Sequence, residues 1–269
     1  MRMRLNGVFA ATVVASLSVA GCKVKPTDNA ASTIETHPIL KPDQSVAPDA
    51  ATLGSVGGVV KLTGKAPAPV KIDMSMDPAC GMSAGGDANM SEQYEVHGGD
   101  LANVYVYVKE GPKAAFQMPA PFGPAVVMDQ KGCRYTPHVV ALRKGQSVEF
   151  RNSDITMHNI HTMPVSVGSE SIDISQGPKG QPQTKQFNQA EAMIPVRCNN
   201  HPWMNAFIDV SETPFYAITG DDGQFSLKGL PAGDYTLAAV HEKLGEQTMK
   251  VTVKAQGTTD AKFTFAMKN

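Results

Sequence analysis

The sequence predicts an all-β protein, and three observations carry that reading. It has 24 Gly and 19 Pro among 269 residues, enough to punctuate many turns. Apolar residues recur with a period of two in short runs, and no stretch of the exported part holds a helical period. Charged residues make up only 18% of the chain, which suits short strands with one face buried. The length admits one or two domains with their own cores. Lys and Arg number 24 against 25 Asp and Glu, so no net field draws nucleic acid or an anionic surface.

In chain order, Arg2 and Arg4 precede the apolar run Leu5 to Ala20, and Val19-Ala20-Gly21-Cys22 closes it. This is a charged n-region, an h-region too short to span well, and a small-residue cleavage site. A Cys directly after the small residues resembles the bacterial lipobox, which implies a signal peptide over 1–22 and a mature chain that starts at a lipidated Cys22. An ordinary signal peptide, or a membrane anchor with an incidental Cys, is the alternative. Residues 23–52 have no hydrophobic period and are rich in Pro, Ala, Asp and Thr, so they read as a disordered tether. Thirty such residues reach on the order of 30 Å.

Order begins at Ser55-Val56-Gly57-Gly58-Val59-Val60. Residues 74–99 read as loop and hold Cys80. Val104, Val106 and Val108 then alternate with Tyr105 and Tyr107 as a strand, and 111–124 shows no clear element. Val140 and Leu142, Val148 and Phe150, then Ile194, Val196 and Cys198, and Ala206, Ile208 and Val210 each share a strand face. Pro195 has no N–H for a ladder, so its strand needs a free edge or a bulge there. Two turn-and-strand units follow, Asp222-Gly223-Gln224-Phe225 and Leu230-Pro231-Ala232-Gly233-Asp234-Tyr235, before the alternations at Met249, Val251 and Val253 and at Phe263 and Phe265.

The chemistry lies in Cys198-Asn199-Asn200-His201-Pro202-Trp203-Met204, a Cys-x-x-His-x-x-Met motif. Thiolate, imidazole and thioether together favour copper, and two His, one Cys and a weak Met make a blue-copper set. His158-Asn159-Ile160-His161 supplies the second imidazole, read as His158 rather than His161. Zinc is the rival metal, but a thioether is a poor zinc ligand. Export leaves Cys80 and Cys133 as disulfide candidates, with two free thiols as the alternative. His138, inside an apolar strand, reads as a core histidine. No His-Glu-x-x-His or His-x-His pair appears, and the chain reads as a non-enzyme.

Residues 135–210 resemble the cupredoxin family and its amicyanin-type members, through Lys144-Gly145-Gln146-Ser147-Val148-Glu149-Phe150, Met157-His158-Asn159 and the Cys198 to Met204 loop. The resemblance implies a Greek-key β-sandwich holding one type 1 copper on His158, Cys198, His201 and Met204. It also implies that Asn159 pins the His loop to the Cys loop, with a turn Asn as the alternative, and that His201 is the exposed ligand; Trp203, between His201 and Met204, reads as a shield for the metal, a docking patch or simple packing. Asn199 and Asn200 depart from the amicyanin pattern of Thr and Pro. The flanks resemble the carboxypeptidase regulatory-like domain, a second small β-sandwich, through Gly57-Gly58-Val59-Val60 and the two turn-and-strand units. The domains expected are thus 53–125 and 213–269 as one interrupted sandwich, with the cupredoxin at 126–212 inserted. The implied role is a one-electron carrier in the periplasm, lipid-anchored, with the outer membrane as its surface. Its partner would be a cytochrome c or a dehydrogenase or oxidase, without nucleic acid. Copper storage, sensing or delivery is the alternative role.

Overall fold

The computed structural model describes residues 49–83, 89–118 and 122–267. The expected signal peptide, Cys22 and most of the 23–52 tether lie outside them. The last four tether residues, Asp49 to Thr52, form a capped turn, where Asp49 accepts the Ala51 N–H at 2.9 Å and Ala50–Thr52 is a 3-10 helix.

The chain then runs through β1 (Leu53–Thr63), α1 (Pro78–Ser83), β2 (Val96–His97), β3 (Asp100–Leu101), β4 (Tyr105–Glu110) and α2 (Lys113–Phe116). It continues through β5 (Val126–Gln130), β6 (Tyr135–Thr136), β7 (Val139–Arg143), β8 (Ser147–Asn152), β9 (His158–Thr162), β10 (Asp173–Gln176) and β11 (Gln183–Gln186). Next come β12 (Glu191–Arg197), β13 (Asn205–Ser211), β14 (Tyr216–Ile218), β15 (Gln224–Pro231), β16 (Gly233–His241), β17 (Gly245–Val253) and β18 (Thr258–Ala266). The protein is all-β. Two short helices among the described residues depart from the expectation of none: at six and four residues they are too brief to show a period. Local chemistry starts them instead. Asp77 accepts the Ala79 N–H at 2.8 Å ahead of Pro78, which suits a first helical position, and Pro112 precedes α2.

Among the described residues, four sheets form two apolar cores. In one lobe, the sheet ordered β15-β1-β3-β2, with β18 also on β1, faces the sheet β14-β4-β16-β17. Val56, Val60, Phe225, Leu227, Phe263 and Phe265 meet Val106, Val108, Leu237, Ala239 and Val253 there. The two ends of the folded chain close this lobe, since β1 and β18 run parallel from Ser55↔Thr258 to Thr63↔Ala266. Gly58 permits that closeness: a Cβ on it would lie 1.7 Å from the Ala261 carbonyl oxygen.

In the other lobe, the sheet β10-β9-β12-β13-β7 faces the sheet β11-β8-β5-β6. Met128, Tyr135, Leu142, Val148, Phe150, Ile160, Ile194, Val196 and Ile208 fill its core. Each such side chain contributes about 1.5–3 kcal/mol when taken from water. The Pro195 strand carries a bulge, with its register shifting between Glu191 and Ile194 and Met193 at φ 54°.

The alternating face of β4 holds a surprise. Val104, Val106 and Val108 are buried as their spacing predicts, yet Tyr105 on the opposite face is 1% exposed. Its lobe packs on the other one there. Contacts join β12 to β16 and β14 to β7, and His138 pairs with Glu242 at 2.7 Å across the boundary. His138 is thus a partnered buried histidine.

Candidate metal centre

Two sheet positions and one tight loop assemble the site. β12 runs straight into Cys198, and the loop turns back into β13, with Met204 N–H on the His201 carbonyl at 2.9 Å and Cys198 N–H on the Met204 carbonyl at 3.3 Å. β9 begins at His158 and pairs with β12 at Val196↔Thr162 and Arg197↔His161, which sets the His strand beside the Cys strand.

Three donor atoms converge. His158 Nδ1 lies 3.0 Å from His201 Nδ1, Cys198 Sγ lies 3.5 Å from His201 Nδ1, and the three ligand atoms all fall within 4.8 Å of one another. All three side chains are buried, and so is Met204 at the end of the loop. Cys198 is the free cysteine among the described residues. Burial acts to raise its thiol, but hydrogen bonds with His158, Asn159, Asn200 and His201 outweigh that and lower its pKa to about 6. For His158, burial pulls the other way, and the hydrogen bonds to Asp154 and Cys198 carry it up to about 9. Both shifts run toward a thiolate at Cys198, the form a metal needs. A soft anionic sulfur, two imidazoles turned toward it and a buried thioether suit copper and not a closed zinc site.

The neighbouring residues tie the loops together. Asn159 N–H reaches the Cys198 sulfur at 3.3 Å, its Nδ2 donates to Asp173 Oδ1 at 2.7 Å, and its Oδ1 accepts the Asn199 N–H at 3.3 Å. The Trp203 ring lies 5.1 Å from the His201 ring, and its Nε1–H donates to the Cys133 carbonyl at 3.1 Å. His161 stays outside the cluster, half-buried, with Nδ1 at 3.1 Å from Asn199 Oδ1. Cys80 and Cys133 are joined as a disulfide.

Exposure of His201 needs correction. It is only 3% exposed, against 0% for His158, and its Nε2–H donates to Asp77 Oδ2 at 3.0 Å. The segment bearing Asp77 closes over the edge that the resemblance left open to solvent. His158 has the same arrangement, its Nε2–H donating to Asp154 Oδ2 at 2.9 Å. These two carboxylates border the cluster, and sequence reasoning missed them. Asp154 stands four residues before His158 and was findable on that ground. Asp77 lies 124 residues from His201, with nothing local to mark it.

A family model of the carboxypeptidase regulatory-like domain matches residues 197–267. Comparison with curated proteins returns no match. Among solved structures, a copper-containing nitrite reductase from Thermus scotoductus SA-01 is similar at 23% identity and a TM-score of 0.30, over 39% of this chain and 27% of that one. The chain therefore spans about a quarter of that enzyme. A copper(I) form of an amicyanin variant is similar at 21% identity and a TM-score of 0.30, over 39% of this chain and 98% of that one. The oxidized state of another amicyanin variant gives the same figures. This chain is thus similar to a carboxypeptidase regulatory-like domain over its last quarter and, over about two-fifths of its length, to copper proteins.

Proposed function

We propose that this protein is a mononuclear type 1 copper protein that carries single electrons outside the cytoplasm, without catalysing a reaction of its own. The observation that carries the reading is the convergence of the Cys198 sulfur with two imidazole Nδ1 atoms, on a loop that ends in a buried Met204. Copper would supply the chemistry by alternating between its +1 and +2 states. The chain's own part is to hold one donor arrangement through both states. Cys198 would give a thiolate held by the Asn159 N–H, the His158 and His201 rings are each fixed at their far nitrogen, and Met204 would give a weak thioether donor.

The same reading places the chain in the periplasm, anchored at Cys22 to a membrane surface, the outer membrane in a two-membrane cell. Its partners would be a cytochrome c or a dehydrogenase or oxidase. Pro202 and Trp203 line a cleft of about 650 Å³ with Val70, Ile72 and Met76, a half-apolar surface suited to docking. Voltammetry of copper-loaded protein lacking residues 1–22 tests the carrier role. A reversible one-electron wave is expected, and an irreversible response or none would contradict it.

One observation favours copper delivery as a second reading. Met76, Met82 and Met157 expose 74%, 78% and 50% of their surface, two of them in sequence beside Asp77 and His158. Soft thioethers at such positions suit a copper(I) relay. A relay would bind more than one copper(I) per chain and lose the extra equivalents when the three are changed to Leu. A pure carrier binds one.

A further inference from the structure

We propose that Asp77 and Asp154 are positioning residues for the two imidazoles, and that the Cys80–Cys133 disulfide is the staple that seats both carboxylates against them. This deepens the copper reading and rests on it for the metal itself.

The geometry repeats on the two sides of the site. Asp77 accepts from His201 Nε2–H at 3.0 Å, and Asp154 accepts from His158 Nε2–H at 2.9 Å. A carboxylate can only accept in these bonds at the pH where it is ionised, so both Nε2 atoms carry hydrogen. That leaves Nδ1 of each ring as the atom facing Cys198, which is the orientation a shared metal requires. Each carboxylate is itself held in place. Asp77 also accepts from Thr156 Oγ1 and from Ala79 N–H, both at 2.8 Å. Asp154 also accepts from Gly132 N–H at 2.7 Å and Cys133 N–H at 2.8 Å.

The disulfide joins the two halves. Cys80 Sγ lies within 4.8 Å of the Asp77–His201 pair, and Cys133 Sγ within 4.8 Å of the Asp154–His158 pair. Cys80 sits on α1, the helix that Asp77 caps, and the Cys133 carbonyl receives Trp203. Breaking the sulfur–sulfur bond takes two electrons and two protons and yields two thiols: a dithiol supplies both and becomes a disulfide, while a phosphine supplies the electrons and becomes its oxide, with the protons and the oxygen from water. α1 is then tied to the metal lobe only by weaker bonds, and Asp77 is free to leave His201. The edge of His201 is closed while the bond stands and open once it is cut.

Two measurements test this. In metal-free protein, diethyl pyrocarbonate acylates neutral imidazoles within its reach, and mass spectrometry maps them. His97 serves as the exposed reference, and His138 and His241 as buried ones. His201 should be protected while the disulfide is intact and become reactive once a phosphine reduces it, with His138 and His241 still protected. Reactivity of His201 from the start, protection after reduction, or reaction only together with His138 and His241 would each overturn the staple. In the second measurement, Asp77→Ser retains a capping residue for α1 but is too short to hold Nε2. Its copper(II) affinity should fall about 10–100-fold, and an unchanged affinity would reduce Asp77 to a helix cap. Wild-type protein that takes no copper would overturn the copper reading alone, because the acylation experiment needs no metal.

Discussion

Cys198 shows how a residue's chemistry is made by its neighbours. A buried thiol would ordinarily resist ionisation, yet here its hydrogen-bond partners outweigh burial and lower it to about 6. Metal-free protein should therefore gain thiolate ultraviolet absorbance with a midpoint near pH 6, and Cys198→Ser should lose that step. A midpoint near 9, the ordinary value, would show that the loops do not hold the sulfur as described. The convergence of His158, Cys198 and His201 was legible because two of them occupy one seven-residue motif and the third is a His-Asn step that follows the alternating pair β7 and β8. The reach of Asn159 to the Cys loop was legible too, on the resemblance. What covers His201 was not, since Asp77 comes from a segment whose place is decided by a disulfide and a capped turn, not by a pattern in sequence.

At the scale of elements, period-two alternation located the strands that have one face in a core: β7, β8, β12 and β13 are where Val140, Val148, Ile194 and Ile208 put them. It failed where an element is short, as in α1 and α2. It failed again where a strand is covered on both faces, as in β4 with Tyr105. The pairing of β1 with β18 belongs to tertiary structure and leaves only a glycine pair as its trace. That pair makes a test. A Cβ on Gly58 would meet the Ala261 backbone oxygen at 1.7 Å, whereas one on Gly57 has its nearest neighbour at 3.9 Å. Gly58→Ala should cost about 1–3 kcal/mol or more, as overpacking against backbone does, while Gly57→Ala should stay within about 0.5 kcal/mol. Chemical denaturation of the two variants decides it. Equal losses would mean that β1 and β18 do not approach as closely as described.

Over the whole molecule, one chain builds two cores and then buries polar groups between them. Asp209 of β13 is fully buried in that boundary, with Met193 N–H on Oδ1 at 2.6 Å. Burial raises its carboxyl to about 8, against the weaker downward pull of the Met193 bond. The sign of the consequence follows from proton counting. Between the ordinary carboxyl value near 4 and about 8, the folded protein holds a proton that the unfolded chain has lost. Stability must therefore fall as pH rises through that window. Asp209→Asn should remove this dependence and gain most over wild type near pH 8, as thermal denaturation between pH 5 and 8 will read. A variant that is less stable at every pH, with the slope unchanged, would contradict the neutral carboxyl.

The central claim is that Cys198 and its neighbours make a type 1 copper centre, and visible absorption during copper(II) titration tests it most directly. Protein lacking residues 1–22 should develop an intense blue or green thiolate-to-copper charge-transfer band that stops growing at one equivalent. Cys198→Ser should remove that band. Copper bound without colour, or a band that survives Cys198→Ser, would contradict the account.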